Sequence, residues 1–115
     1  MPKVYEGVIT AANRDHQVFV IDPGRLSITT STRIRLQLRL DLQNHSPDGF
    51  CWGYGGSGPA QLALAILADC IDDEKALKYY QEFKADVIAR LPMDKPFVLS
   101  EDDVHEYLTM KILKS

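Results

Sequence analysis

A chain of 115 residues is long enough for one domain around one core, and 45% hydrophobic with 25% charged residues is the composition of an ordinary globular protein. Its formal net charge of -3 excludes a global attraction to nucleic acid or to an anionic membrane. Two cysteines, Cys51 and Cys70, are too few for a disulfide framework or a zinc site.

No stretch reaches the ~20 apolar residues that a membrane span requires. Met1-Pro2-Lys3-Val4 leads straight into alternating residues, without the apolar run of a signal peptide. The expectation is a single domain over residues 1–115, cytoplasmic, with both cysteines reduced.

Lys3 to Ile9 alternates and predicts a first strand. Ala11 to Asp15 holds Asn13 and Asp15 and reads as a turn. Gln17 to Ile21 (QVFVI) is β-branched and aromatic, which predicts a second strand. The short connection makes the pair an antiparallel hairpin, closed by Asp22-Pro23-Gly24. Ser27 to Thr32 fits a loop or an edge strand.

Arg33 to Leu42 alternates strictly. Ile34, Leu36, Leu38, Leu40 and Leu42 fall on one face; Arg33, Arg35, Gln37, Arg39 and Asp41 fall on the other. Period two over that length predicts a strand from 33 to 42 with a solvated outer face. Its three arginines, Arg33, Arg35 and Arg39, form a candidate interaction surface for phosphate or an acidic protein.

The stretch from Trp52 to Ile71, WGYGGSGPAQLALAILADCI, organises the chain. Ser57 reads as a helix N-cap and Pro59 as a first-turn residue. The helix predicted from Pro59 to Ile71 is apolar all round, so it belongs in the middle of the core. Gly53, Gly55, Gly56 and Gly58 precede it. Four glycines so close are costly to order, so each must meet a need for positive φ or close approach. A glycine-rich loop before a helix N-terminus is also a candidate anion site. Its residues would be Gly55, Gly56, Ser57, Gly58, Trp52, Tyr54 and His45. The stretch fits G-x-G-x-x-G by letter, but a second helical pattern follows where a dinucleotide fold needs a strand. Pro59-Ala60 stand where a Walker loop needs Lys and Ser/Thr.

Asp72-Asp73 caps a second helix running to about Leu91, where Pro92 stops it. Ala76, Leu77, Tyr80, Phe83, Val87, Ile88 and Leu91 make its apolar stripe. Glu74 with Lys78, Lys78 with Glu82 and Asp86 with Arg90 are opposite charges at i,i+4. The two helices, joined by about two residues, predict an antiparallel αα-hairpin. Phe97 to Leu99 reads as a short strand. Ser100 with Asp103 reads as a cap on a short C-terminal helix, with Val104, Tyr107, Leu108 and Ile112 on its apolar face and Lys111 and Lys114 at its end. The predicted fold class is therefore α+β: a small antiparallel sheet, from the N-terminal hairpin plus strand 33–42, packed on an αα-hairpin, with a short C-terminal helix.

Leu40 to Leu67, LDLQNHSPDGFCWGYGGSGPAQLALAIL, resembles an uncharacterised domain-of-unknown-function family of small prokaryotic and phage proteins. The shared run is NHSPxGFxWGYGGSGPAQLALAxL, with weaker likeness in KVYEG and ALKYYQEFKADVIARLP. Cys51 stands where that family often has glutamate or another polar residue, which argues against Cys51 as a shared nucleophile. The resemblance brings no activity, and implies a phage or mobile-element accessory protein.

Three functions follow. The first is a non-enzymatic binder of a protein partner, in the setting of the resemblance an inhibitor of a host defence system such as CRISPR-Cas. The second is a phosphate or nucleotide module, cyclic nucleotide signals included, using the glycine-rich loop. The third, ranked last, is an enzyme using His45, Asp48 or Cys51, which lie close in sequence but lack an orienting partner. No catalytic residue, cofactor or metal is assigned, and nucleic acid and membrane are not expected partners. A homodimer stays open, because part of the α-hairpin's stripe could pack on a second subunit.

Overall fold

The computed structural model describes residues 2–10, 15–22 and 32–114. The turn expected at 11–15, the closure at Pro23-Gly24 and the stretch 27–32 fall largely outside these residues. Strands β1 (Val4–Ile9), β2 (His16–Asp22) and β3 (Thr32–Arg35) precede helices α1 (Ser57–Cys70) and α2 (Asp73–Asp86); a short 3-10 turn (Ile88–Arg90), strand β4 (Phe97–Ser100) and helix α3 (Glu101–Lys114) complete the chain. The α+β class is as expected. The sheet is four-stranded in the order β3-β2-β1-β4, and every pairing is antiparallel.

The register divides the sheet into two faces. Tyr5, Val18, Val20 and Phe97 point to one face and are buried. They join one core cluster with α1, α2 and α3. Every residue of α1 from Gly58 to Leu67 is buried, as an all-round apolar helix demands. The two-residue connection Ile71-Asp72 folds α2 back onto α1. The Asp72 carboxylate accepts from the Lys75 N–H at 2.7 Å, the predicted cap. The start of α3 is capped reciprocally: Asp103 N–H donates to Ser100 Oγ and Ser100 N–H to Asp103 Oδ2, both at 3.0 Å.

Several expectations need correction. The strand expected over 33–42 leaves the ladder after Arg35. Phe19 faces Arg35, so in the same register His16, the first residue of β2, would face Leu38. Among the described residues, those past Leu38 therefore have no strand to pair with, and Arg39 adopts φ 57 and opens a turn. Ile34, expected in the core, is 47% exposed because β3 is the sheet edge.

Helix α2 ends at Asp86 rather than near Leu91. Pro92 has no N–H to give the Ile88 carbonyl, so the last turn tightens to 3-10 geometry. That carbonyl instead accepts from Leu91 N–H at 3.3 Å and Gly53 N–H at 3.0 Å. Within the predicted stripes, Leu77 and Ile112 are exposed. Glu82 and Asp86, expected to pair along α2, are both reached by Lys111 of α3, at 3.3 and 3.1 Å. Finally, α1 begins at Ser57 with Gly56 as its N-cap, so Ser57 is not the capping side chain. Among the described residues no helix is long and apolar enough to cross a membrane.

Candidate functional site

The glycine-rich loop has a rigid half and an open half. Trp52 is fully buried beneath it. Its indole N–H donates to the Lys95 carbonyl at 2.9 Å, and its ring meets His16 and Phe97 edge-on at 4.5 and 4.8 Å. Gly53 has φ +89 and lies against the backbone of Met93, where a Cβ would collide. Only glycine meets both conditions. His16 Nε2 closes the same corner by donating to the Met93 carbonyl at 2.8 Å.

Beyond Gly53 the loop opens. Tyr54 is 44% exposed, and a Cβ at Gly55 would meet nothing within 4 Å. Burial, then the neighbouring Cys51, pushes the Tyr54 phenol above its ordinary value. Gly58 packs on Cys51, 2.9 Å from where its own Cβ would stand. Ala60 N–H makes the first bond of α1, to the Gly56 carbonyl at 3.1 Å. The N–H groups of Ser57 and Gly58 precede it, at the positive end of the helix dipole.

Two hollows meet at Asp15, His16, Asp48, Gly49 and Phe50. One, of about 290 Å³, reaches Tyr54, Ser57 and Gly58. The other, of about 340 Å³, reaches Arg35, Leu36 and Leu38. The carboxylates Asp15 and Asp48 line both. They oppose an anion at the helix end, because like charge repels it there.

His45 is not part of this opening. Its Nε2 shares a 2.7 Å hydrogen bond with the Tyr80 hydroxyl. Its backbone N–H donates to Gln61 Oε1 at 2.8 Å, as does Ser46 N–H at 3.0 Å. Gln61 Nε2 donates to the carbonyls of Leu38 and Gln43, at 2.6 and 3.0 Å. All four hydrogen-bonding positions of this fully buried amide are thus used on the chain between 38 and 46. Residue-by-residue reading did not single out Gln61. Its signal was a lone polar side chain at the head of an otherwise apolar helix, since a buried amide must find partners. Cys51, Asp48 and His45 form no nucleophile pair: Cys51 Sγ faces the Trp52 carbonyl at 3.8 Å, and His45 faces Tyr80.

The three arginines separate. Arg33 and Arg35 lie on the outer face of the sheet, beside Phe19 and Glu6. Arg33 stacks over the Phe19 ring at 4.1 Å and pairs with Glu6 at 2.8 Å. Arg35 has no ion-pair partner among the described residues. Arg39 is turned away by its positive φ and clamps Asp41 and Asp73, at 3.0 and 2.8 Å. Hydrogen bonds to Asp41 and then Asp73 push it further above its ordinary value.

At the opposite end of α1 three donors gather without forewarning from the sequence. Cys70 Sγ, a Glu101 carboxylate oxygen and a His105 ring nitrogen all lie within 4.8 Å of one another. Burial, opposed by the Tyr5 hydroxyl and helped by Glu101 and Asp69, pushes the Cys70 thiol up to about 11. Tyr5 donates to Asp69 at 2.8 Å, and burial first, then Cys70 and Asp69, hold its phenol protonated far above the ordinary value.

The chain matches no curated protein and no solved structure. It does match a family profile, described as a family of unknown function, across residues 21–110, which takes in β3, α1, α2, β4 and α3 as far as Met110. The chain therefore belongs to the DUF6166 family.

Proposed function

We propose that this chain is a non-enzymatic binding protein that docks a protein partner on the outer face of its sheet. One observation supports the reading: among the described residues no helix crosses that face. It presents Val98, 65% exposed, together with Arg33 and Arg35. An exposed apolar residue on one edge strand and arginines on the other give the face both an apolar and a cationic contact, as interfaces use. The partner's chemistry follows from the face, with an apolar centre for Val98 and a carboxylate for Arg35. In the setting implied by the family resemblance, that partner is a subunit of a host defence complex such as CRISPR-Cas.

A photo-crosslinking residue at Val98, in cells that carry the protein, tests this. The expected result is one discrete adduct that Arg35→Glu abolishes, with restored defence activity when the adduct is lost. An unmodified monomer at every expression level sinks the reading.

The alternative, an anion or nucleotide at Gly55, Gly56, Ser57 and Gly58, draws on the hollow beside the first N–H groups of α1. Asp15 and Asp48 weigh against it. A thermal-shift panel of phosphates and nucleotides, cyclic ones included, decides. Saturation at a hundred times the dissociation constant stabilises by about 2.7 kcal/mol, and a flat panel removes the alternative.

A further inference from the structure

We propose that Cys70, Glu101 and His105 form a binding site for a single divalent transition-metal ion of the zinc class. The three side chains offer sulfur, oxygen and nitrogen, the donor set that borderline-soft ions take and hard ions such as magnesium do not. Their donor atoms already converge to within 4.8 Å of one another. Zinc–ligand bonds of about 2.0–2.3 Å place tetrahedral donors on the order of 3.5 Å apart. A small rotation of each side chain closes that difference.

The fold places these residues independently of any ion. Glu101 and His105 are one helical turn apart on α3, the i,i+4 spacing that presents two ligands on one face. The reciprocal Ser100–Asp103 cap fixes where that turn begins. The Glu101 backbone N–H donates to the Lys3 carbonyl at 2.8 Å, and Glu101 Oε1 accepts from the Lys3 N–H at 3.2 Å. The carboxylate is thereby held where the chain enters β1. Outer hydrogen bonds of this kind orient metal ligands. Cys70 is the last residue of α1, where the negative end of the helix dipole favours a cation. His105 is exposed, so an ion has a path in, and three protein donors leave the fourth tetrahedral position to water. This site lies at the opposite end of α1 from the hollows and does not involve the outer sheet face.

Cobalt(II) is the probe, because a tetrahedral cobalt thiolate has both visible ligand-field bands and a near-ultraviolet sulfur-to-cobalt band. Titrating the reduced, full-length protein should develop both, saturating at one equivalent per chain, and zinc should bleach them. Cys70→Ser should remove the sulfur band. His105→Ala, at an exposed position, should weaken cobalt at least tenfold while leaving the far-ultraviolet dichroism unchanged. Should Cys70→Ser fail to fold, Glu101→Gln and His105→Ala carry the comparison. No sulfur band with excess cobalt overturns the site. So does a band that survives Cys70→Ser and disappears in Cys51→Ser, or cobalt affinity that His105→Ala and Glu101→Gln leave unaltered.

Discussion

The two ends of α1 differ in a way that inverts what their sequences suggest. The N-terminal end, announced by four glycines, is held by packing. Gly53 abuts Met93, Trp52 fills the floor, and Gln61 ties down the chain before it. The C-terminal end carries no motif, yet it gathers a thiol, a carboxylate and an imidazole from two helices. Glycine density reports a backbone under geometric constraint. It does not report chemistry, which depends on side chains converging from elements far apart in sequence.

That contrast can be broken by substitution. The largest effect is expected at Gln61. Gln61→Leu leaves four backbone groups of the 38–46 segment without their partners, and should cost about 4 kcal/mol in urea unfolding. Gly53→Ala follows, at about 3 kcal/mol, because the side chain meets Met93 in a backbone conformation that L residues rarely adopt. A loss under about 1 kcal/mol at either position would mean that the N-terminal end is less rigidly built than described. Ser100→Ala should cost about 1 kcal/mol by removing half of the reciprocal cap, and should also loosen the placement of Glu101.

The smallest effects sharpen the comparison. Gly55→Ala should lie within about 0.5 kcal/mol of wild type, since its Cβ meets open space. Metal-free His105→Ala should be equally neutral. A large destabilisation at Gly55 would move the constraint into the open half of the loop.

Electrostatics supply a pH test. The Tyr107 hydroxyl, then Lys111, hold the Asp86 carboxyl below its ordinary value of 3.8. A carboxyl depressed in the folded state stabilises above the unfolded value and loses that contribution as pH falls through the folded one. Between about pH 7 and about pH 3, the urea midpoint of wild type should therefore fall further than that of Tyr107→Phe. Parallel curves would show that the hydroxyl does not couple α3 to α2 in this way.

Much of the architecture was legible in the residues. The all-round apolar run Leu62–Ala68, the cap at Asp72 and the pairing of Ser100 with Asp103 are local signals, and local physics settles them. The candidate site was less legible. Arg33, Arg35 and Arg39 alternate as one face would, but Arg39 is parted from the others because β2 begins only at His16 and among the described residues the ladder has no partner further along. Trp52 and His45 stand in the loop's sequence neighbourhood, yet one lies in the core and the other on Tyr80.

By itself, then, the sequence determined the α+β class, the identity of the central helix, the antiparallel pairing of the first two strands and the folding of α2 back onto α1. Periodicity, capping residues and proline act over a few residues and need no tertiary context. The tertiary structure alone decided where the third strand ends, which of the loop's aromatic residues faces solvent, what satisfies Gln61, and that Cys70 meets Glu101 and His105. Each of these depends on contacts between segments distant in the chain, whose geometry is set by how α1 packs between the sheet and α2.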